Sequence, residues 1–208
     1  MGCELGLDAP RDDFIPGAAC LSCAARPGHG VAMGSTPRAF VGRQPQPMTP
    51  TLRPATAADA PRVADLLIDV RAAFMPYAPS AHPDDELRTW VASHLVPSGG
   101  VTVATVDGAA GGTVQAVMAT ERSGGVCWIT QMAVDPARVG QGLGALLLAH
   151  ALRTLHRPIR LYTFQANVGA RQFYQRHGFV AIEFTDGQAN EEHCPDVLYE
   201  LAAPGGQA

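Results

Sequence analysis

The stretch VDPARVGQGLGALLLAHAL, residues 134–152, decides the fold. An apolar, strand-like segment, CWITQMAV, runs into it. Gly140, Gly142 and Gly144 then alternate directly before an apolar run with helical spacing. The first turn of a helix has unpaired backbone N–H groups and a partial positive charge. Because glycine has no side chain, an anion can come close to those N–H groups. The stretch therefore predicts a strand, an anion-binding loop and a helix.

The sequence around this glycine loop, residues 139–144, narrows the choice of anion. The pattern GxGxxA is typical of dinucleotide-binding folds, but those folds need an acidic residue about 20 positions later. Residues 137–182 contain six arginines and no Asp or Glu, and the chain has no lysine with which to build a P-loop. A phosphate-bearing ligand of another class is therefore favoured. The alternative is that the three glycines only form a tight strand-to-helix turn and bind no ligand.

Composition limits the class of protein. The 208 residues suit one domain with a tail, and 47% of them are hydrophobic, which is enough for a sizeable core. The formal net charge of −4 does not favour a nucleic-acid partner. Apolar runs are too short for a membrane span, so no membrane contact is expected. Of the five cysteines, only Cys20 and Cys23 form a CxxC pair, so we expect no metal site and a reduced, cytoplasmic protein.

The chain divides near residue 48. Residues 1–47 are rich in Gly, Pro and Ala without a sustained period, which predicts a disordered extension. Residues 48–208 are predicted to form a single domain in which the elements follow the order β-α-α-β-β-β-α-β-α-β-β. That order indicates an α/β (α+β) fold with helices on both faces of a mixed, mostly antiparallel sheet of six to seven strands.

A second motif follows the glycine helix. NVGARQFYQRHGF, residues 167–179, predicts a helix capped by Asn167 and ended by Gly178. Together with the glycine loop and the order of elements, this motif resembles the GCN5-related N-acetyltransferases (GNAT) over residues 51–202. The resemblance implies the acyl-CoA N-acyltransferase fold of that family, with acetyl-CoA as the co-substrate.

The resemblance also implies which residues contact the donor. The pyrophosphate would lie on the glycine-loop amides and the pantetheine along the end of the preceding strand, while the second motif contacts the pantetheine arm and the sulfur. The family usually has Gln or Arg at the position of Val139, and here Arg138 lies one residue earlier. The implied cofactor-binding residues are Met132, Ala133, Val134, Val139, Gly140, Gln141, Gly142, Leu143, Gly144, Asn167 and Tyr174.

Acyl transfer to an amine needs a neutral amine, a donor for the oxyanion and a proton for the departing thiolate. In the family, the tyrosine that matches Tyr174 protonates the sulfur; the alternative is that Tyr174 only packs. The strand before the glycine loop contains no carboxylate to act as a base. We therefore assign the acceptor-side catalytic role to Glu191 and Glu192, between the last two strands, with plain solvation of that loop as the alternative.

Further acceptor contacts are expected from Tyr77 and His82, whereas His193 has no metal-ligand partner at the required spacing. The expected function is acetylation of the primary amine of a small molecule by direct attack in a ternary complex. A protein or peptide acetyltransferase and a non-catalytic acyl-CoA-binding module are the alternatives. A homodimer is compatible with the sequence.

Overall fold

The computed structural model describes residues 50–78, 80–106 and 112–203. The predicted extension, the Cys20–Cys23 pair and residues 107–111 lie outside these ranges. The strands are β1 (Pro50–Pro54), β2 (Val101–Val106), β3 (Thr113–Ser123), β4 (Val126–Val134), β5 (Ile159–Phe164), β6 (Val180–Phe184) and β7 (Asp196–Leu201). The α-helices are α1 (Ala60–Phe74), α2 (Asp84–Trp90), α3 (Leu143–Thr154) and α4 (Val168–Arg176).

The seven strands form one sheet in the order β1-β2-β3-β4-β5-β7-β6. Every neighbouring pair is antiparallel except β4 and β5, which are parallel and are joined through α3. A parallel pair needs such a crossover, whereas antiparallel neighbours can be joined by short turns. The predicted element order and the mixed, mostly antiparallel sheet are confirmed.

Two apolar cores lie on opposite faces of the sheet. Leu147, Leu148 and Phe173 of α3 and α4 pack on one face, and Val63 and Leu66 of α1 pack on the other. Because side chains alternate between the faces of a strand, β3 contributes to both cores. Helices therefore cover both faces, as the sequence predicts.

The second predicted helix has an unexpected end. The sequence predicts one helix over residues 84–96, whereas α2 ends at Trp90 and continues as a π-helical turn over Val91–Leu95. Leu87, Val91 and Leu95 still share the buried face. The wider turn is a tertiary feature that hydrophobic spacing does not specify, since π-turns occur as single insertions in α-helices.

The entry into α1 is fixed by a charged cap. Arg53 donates to both carboxylate oxygens of Asp59, at 2.7 and 2.8 Å, and the Thr56 N–H donates to Asp59 at 2.7 Å. The Arg53 guanidinium holds the pKa of the Asp59 carboxyl well below its usual range; burial opposes the shift and the Thr56 N–H adds to it. The cap ties β1 to the start of α1.

Within the described ranges, no helix combines the length and the apolar character needed to cross a membrane.

Candidate functional site

The parallel strands β4 and β5 separate soon after they begin. Cys127 pairs with Ile159 and Trp128 with Arg160, and the recorded pairing of the two strands stops there. Beyond this point β4 pairs with β3, and β5 pairs with β7 as far as Phe164. The sheet therefore opens between β4 and β5, and we call this opening the strand gap. Met132, Ala133 and Val134, the predicted pantetheine contacts, lie on the β4 side of it.

A bulge in β4 marks the start of the gap. Ala119 pairs with Gln131 and Thr120 with Ile129, so Thr130 is the extra residue. A bulge changes the direction of a strand and disrupts its pairing locally. It therefore accounts for the divergence of β4 from β5.

The glycine loop follows β4 directly and contains two left-handed residues. Gly140 has φ +81° and Gly142, the residue before α3, has φ +85°. Side chains disfavour this conformation, so glycine is needed at both positions. A Cβ atom at either position would meet nothing within 4 Å. The space in front of both glycines is therefore open, as the approach of an anion to the amides requires.

The third glycine has a different role. Gly144 lies inside the first turn of α3 and is buried there, with Leu143 beside it in the core. Gly140 and Gly142 thus shape the loop, and Gly144 allows close packing of the helix start. A tight turn alone would need fewer glycines.

The loop is held from both sides. Asp135 accepts a hydrogen bond from the Ala137 N–H at 2.9 Å and one from Arg62 of α1 at 2.5 Å. The side-chain amide of Gln141 donates a hydrogen bond to the Ala137 carbonyl at 3.3 Å. Arg138 in turn donates a hydrogen bond to the side-chain oxygen of Gln141 at 3.4 Å. These contacts fix the backbone between β4 and α3, and Arg138 lies half-buried beside the loop.

Tyr174 lies in the core under α4. Its side chain is fully buried and its hydroxyl is 4.0 Å from the sulfur of Met132. The rings of Phe173 and Phe179 stand edge-on to it at 5.3 and 5.6 Å. The structure thus brings the predicted proton donor to β4, at a residue predicted to contact the pantetheine.

The start of α4 confirms the predicted cap. The side-chain oxygen of Asn167 accepts a hydrogen bond from the Ala170 N–H at 3.0 Å. Ala170 is fully buried one turn before Tyr174. The small side chain therefore serves core packing in this structure, and a contact of Asn167 with the donor stays a prediction.

The loop between β6 and β7 is folded tightly on itself. Asp196 is buried and accepts hydrogen bonds from Thr185 at 2.5 Å and from the Asn190 amide at 3.0 Å. Asn190 also exchanges hydrogen bonds with the backbone of Cys194. A Cβ atom at Gly187 would lie 2.4 Å from that backbone, so the close approach requires glycine. Burial raises the pKa of the Cys194 thiol, and the neighbouring carboxylates add to the shift.

The two predicted catalytic glutamates have different surroundings. The Glu192 side chain is 3% exposed and forms an ion pair with Arg71 of α1 at 2.7 Å. The Glu191 side chain is 43% exposed and lies 3.2 Å from Nε2 of His82, whose Nδ1 is 3.1 Å from Glu86. Glu192 therefore anchors the loop, whereas Glu191 is accessible. A catalytic role for either residue stays a prediction.

A cleft of about 930 Å³ lies beside these residues. It is bounded by α2 with its π-turn on one side and by the β3–β4 hairpin on the other. Most of the residues that line it have polar or charged side chains. They are His82, Asp85, Glu86, Thr89, Trp90, Ser93, His94, Leu95, Ser98, Ala119, Thr120, Glu121, Arg122, Thr130 and Gln131.

Of the two predicted acceptor contacts in the α1–α2 loop, His82 lines the cleft. Tyr77 instead stands edge-on to Phe164 at the end of β5, with ring centroids 6.2 Å apart. The sequence analysis assigned no ligand contact to α2, which lines the cleft. The available signal was the polar face that Asp85, Thr89 and Ser93 form at helical spacing, next to an aromatic residue.

Two of the arginines after the glycine loop have structural partners. Arg160 pairs with Glu200 at 2.7 Å, and Arg171 donates to the Gln165 carbonyl at 3.0 Å and lies over the ring of Phe184. The arginine-rich composition therefore serves the fold in part. Within the described ranges, no three His, Cys, Asp or Glu side chains are grouped to hold a metal ion.

Comparison with known proteins decides the family. The sequence model of the Acetyltransferase (GNAT) family matches residues 67–179, which run from α1 through the glycine loop to the end of α4. The chain belongs to the GNAT acetyltransferase family. The match includes both motifs and the strands β4 and β5.

Several solved structures share the fold. A GCN5-related N-acetyltransferase from Kribbella flavida is 21% identical, with a TM-score of 0.56 over 74% of this chain and 98% of that one. The PaiA N-acetyltransferase of Thermoplasma acidophilum, solved with coenzyme A, is 16% identical, with a TM-score of 0.58 over 75% and 100%. YjaB from Escherichia coli is 19% identical, with a TM-score of 0.58 over 75% and 100%. No curated protein matches the chain.

Proposed function

We propose that this GNAT protein transfers an acetyl group from acetyl-CoA to the primary amine of a small molecule. The observation that carries the proposal is the arrangement around β4. The strand gap and Tyr174 adjoin this strand at Met132, and the polar cleft adjoins it at the preceding residue, Gln131. Successive side chains of a strand point to opposite faces, so one strand can separate a donor compartment from an acceptor compartment.

The glycine loop fits the pyrophosphate of the donor. The left-handed glycines and the open space in front of them permit close approach to the amides of residues 139–144. The N-terminus of α3 adds a partial positive charge, and the half-buried Arg138 beside the loop can supply a full one. Coenzyme A bound to the PaiA relative is compatible with this assignment.

Acetyl-CoA supplies an activated acyl group when it is bound. On the donor side, the Tyr174 side chain carries an O–H group that can donate a proton. Delivery of that proton to the departing sulfur would favour the products. The Tyr174 side chain is fully buried, so the protein, rather than bulk water, surrounds the hydroxyl.

The polar cleft is assigned to the acceptor amine. Its volume lies within the range of about 300–1,000 Å³ that is usual for small-molecule sites. Asp85, Glu86 and Glu121 give it an excess of negative charge over Arg122, which favours a cationic amine. The ring of Trp90 can contact the same cation through its face.

The amine must lose a proton before it attacks. His82 and Glu191 lie in contact at the cleft, and Glu191 is exposed enough to exchange a proton with water. This pair is the best-placed proton acceptor, either directly or through water. Glu192 is less suited, because its carboxylate is already paired with Arg71.

A screen of amines with acetyl-CoA, followed through the release of free thiol, tests the proposed function. Small cationic primary amines should give amine-dependent thiol release above the rate without amine. Turnover only with peptides would move the assignment to a protein or peptide acetyltransferase. Coenzyme A binding without turnover on any amine would indicate an acyl-CoA-binding module.

A further inference from the structure

One buried hydroxyl in the sheet lacks a partner. The side-chain oxygen of Thr163 on β5 is buried and makes no hydrogen bond with any described residue. The whole residue is 1% exposed. Burial of a hydroxyl without a hydrogen bond costs free energy, and valine would fill nearly the same space without that cost. A threonine at this position therefore calls for a partner that joins the protein from outside.

Strand alternation gives the direction of the side chain. Ile159 and Leu161 of β5 belong to the core under α3 and α4, and Thr163 is the next residue on the same face. Its cross-strand partner on β7, Val197, belongs to that core as well. Phe164 instead packs into the core on the opposite face. Thr163 thus faces the side of the sheet on which Tyr174 lies.

The register of the parallel strands gives the position of Thr163 along the strand gap. Cys127 pairs with Ile159 at the start of the gap. Counted forward from this pair, with one extra residue in β4 for the bulge at Thr130, Thr163 stands level with Met132. The sulfur of Met132 is 4.0 Å from the hydroxyl of Tyr174. Thr163 and Tyr174 therefore adjoin the same level of the strand gap.

We propose that Thr163 is a donor-binding residue whose hydroxyl donates a hydrogen bond to a carbonyl oxygen of the acyl-pantetheine arm. This inference rests on the proposed function, because it takes the strand gap as the place of that arm. The arm is rich in amide and thioester carbonyls and has few charges, so a neutral hydroxyl matches it. The glycine loop binds the phosphates at the other end, and Thr163 would hold the arm near the reacting sulfur.

The test compares Thr163→Val with Thr105→Val. Thr105 is also a buried strand threonine, but its hydroxyl is paired with that of Thr51 at 2.9 Å. Thr163→Val should keep or raise the melting temperature of the ligand-free protein and weaken coenzyme A and acetyl-CoA binding by about five- to tenfold, as expected for one lost hydrogen bond. Thr105→Val should lower the melting temperature and leave both affinities unchanged.

Two further measurements locate the contact. Adenosine 3′,5′-bisphosphate lacks the pantetheine arm, so calorimetry should give the same affinity for the wild type and for Thr163→Val. Thr163→Ser keeps the hydroxyl and should restore most of the coenzyme A affinity.

The outcomes separate this inference from the proposed function. If the wild type binds coenzyme A and Thr163→Val binds it equally well, the inference is wrong and the proposed function stands. A lower melting temperature with unchanged affinity would likewise overturn it, because a buried water would then be the partner. Equal weakening of bisphosphate binding would place the effect at the loop, against the inference. A wild type that binds no coenzyme A would refute both.

Discussion

Replacement of Gly142 by valine separates the two roles of the glycine loop, namely backbone conformation and access for the donor. With φ at +85°, any side chain at this position is strained by roughly 1–2 kcal/mol, and a branched one by more. Apart from the two adjacent residues, no atom of the described residues lies within 4 Å of the new Cβ atom, so no clash is expected. The fold should therefore survive with a lower melting temperature.

The expected loss of affinity follows from contact distances. A phosphate oxygen must come within about 2.9 Å of a backbone nitrogen to form a hydrogen bond. Carbon atoms of a valine side chain need about 3.5–4.0 Å, so they would hold the oxygen away from the amides. Loss of one charge-assisted hydrogen bond costs about 1.5–3 kcal/mol. Coenzyme A should therefore bind at least tenfold more weakly.

Gly125 offers a matched control. It lies in the β3–β4 turn with φ +80°, and a Cβ atom there would also meet nothing within 4 Å. Gly125→Val should lower the melting temperature by a similar amount, about 2–4 °C per kcal/mol of strain, and leave coenzyme A affinity unchanged. Calorimetry on both folded variants decides the matter. Unchanged binding by Gly142→Val, or equal weakening in both, would refute the assignment of the pyrophosphate to this loop.

Three further substitutions test the rest of the site and its frame. Tyr174→Phe should lower kcat by ~10²-fold with little change in KM if the hydroxyl protonates the sulfur, and near wild-type kcat with chemistry rate-limiting would remove it from the mechanism. Glu191→Gln should lower kcat/KM for the amine and leave the free energy of unfolding unchanged. Glu192→Gln should lower the free energy of unfolding, measured with denaturant, by about 1–3 kcal/mol. The reverse pattern would contradict the proposed roles. Asp59→Asn should destabilise the protein at neutral pH. Because the folded-state pKa of Asp59 is lowered, the contribution of Asp59 to stability is present above the ordinary carboxyl pKa and is lost as the pH falls towards the folded-state value. A difference in melting temperature between Asp59→Asn and the wild type that does not change with pH would argue against this cap.

Local patterns in the sequence predicted most of the fold. Apolar residues at helical spacing, alternating β-branched runs and the Asn167 cap are local signals, and they gave the order of the elements. The glycine loop was equally readable, because positive φ at the helix start is a property of a few adjacent residues. The observed sheet agrees with the expected mixed, mostly antiparallel class, because only one of its strand pairs, β4 and β5, is parallel.

The surroundings of the predicted site could not be predicted in the same way. Glu191 and Glu192 are adjacent, yet one is exposed and the other is buried against Arg71, 121 residues earlier in the chain. The strand gap depends on where β5 leaves β4 for β7, and strand pairing over long separations has no local signature. The cleft lies between α2 and the β3–β4 hairpin, and hydrophobic periodicity does not indicate that these two elements are neighbours.

Helix α1 carries both loops of the candidate site. Arg62 holds Asp135 at the start of the glycine loop, and Arg71 holds Glu192 in the β6–β7 loop. The two arginines are nine residues apart, which corresponds to about 13.5 Å of helical rise. The position of α1 thus sets the spacing between the glycine loop and the β6–β7 loop. A ligand that binds at one loop and displaces α1 would therefore alter the contacts at the other loop, and such a coupling would act equally in both directions.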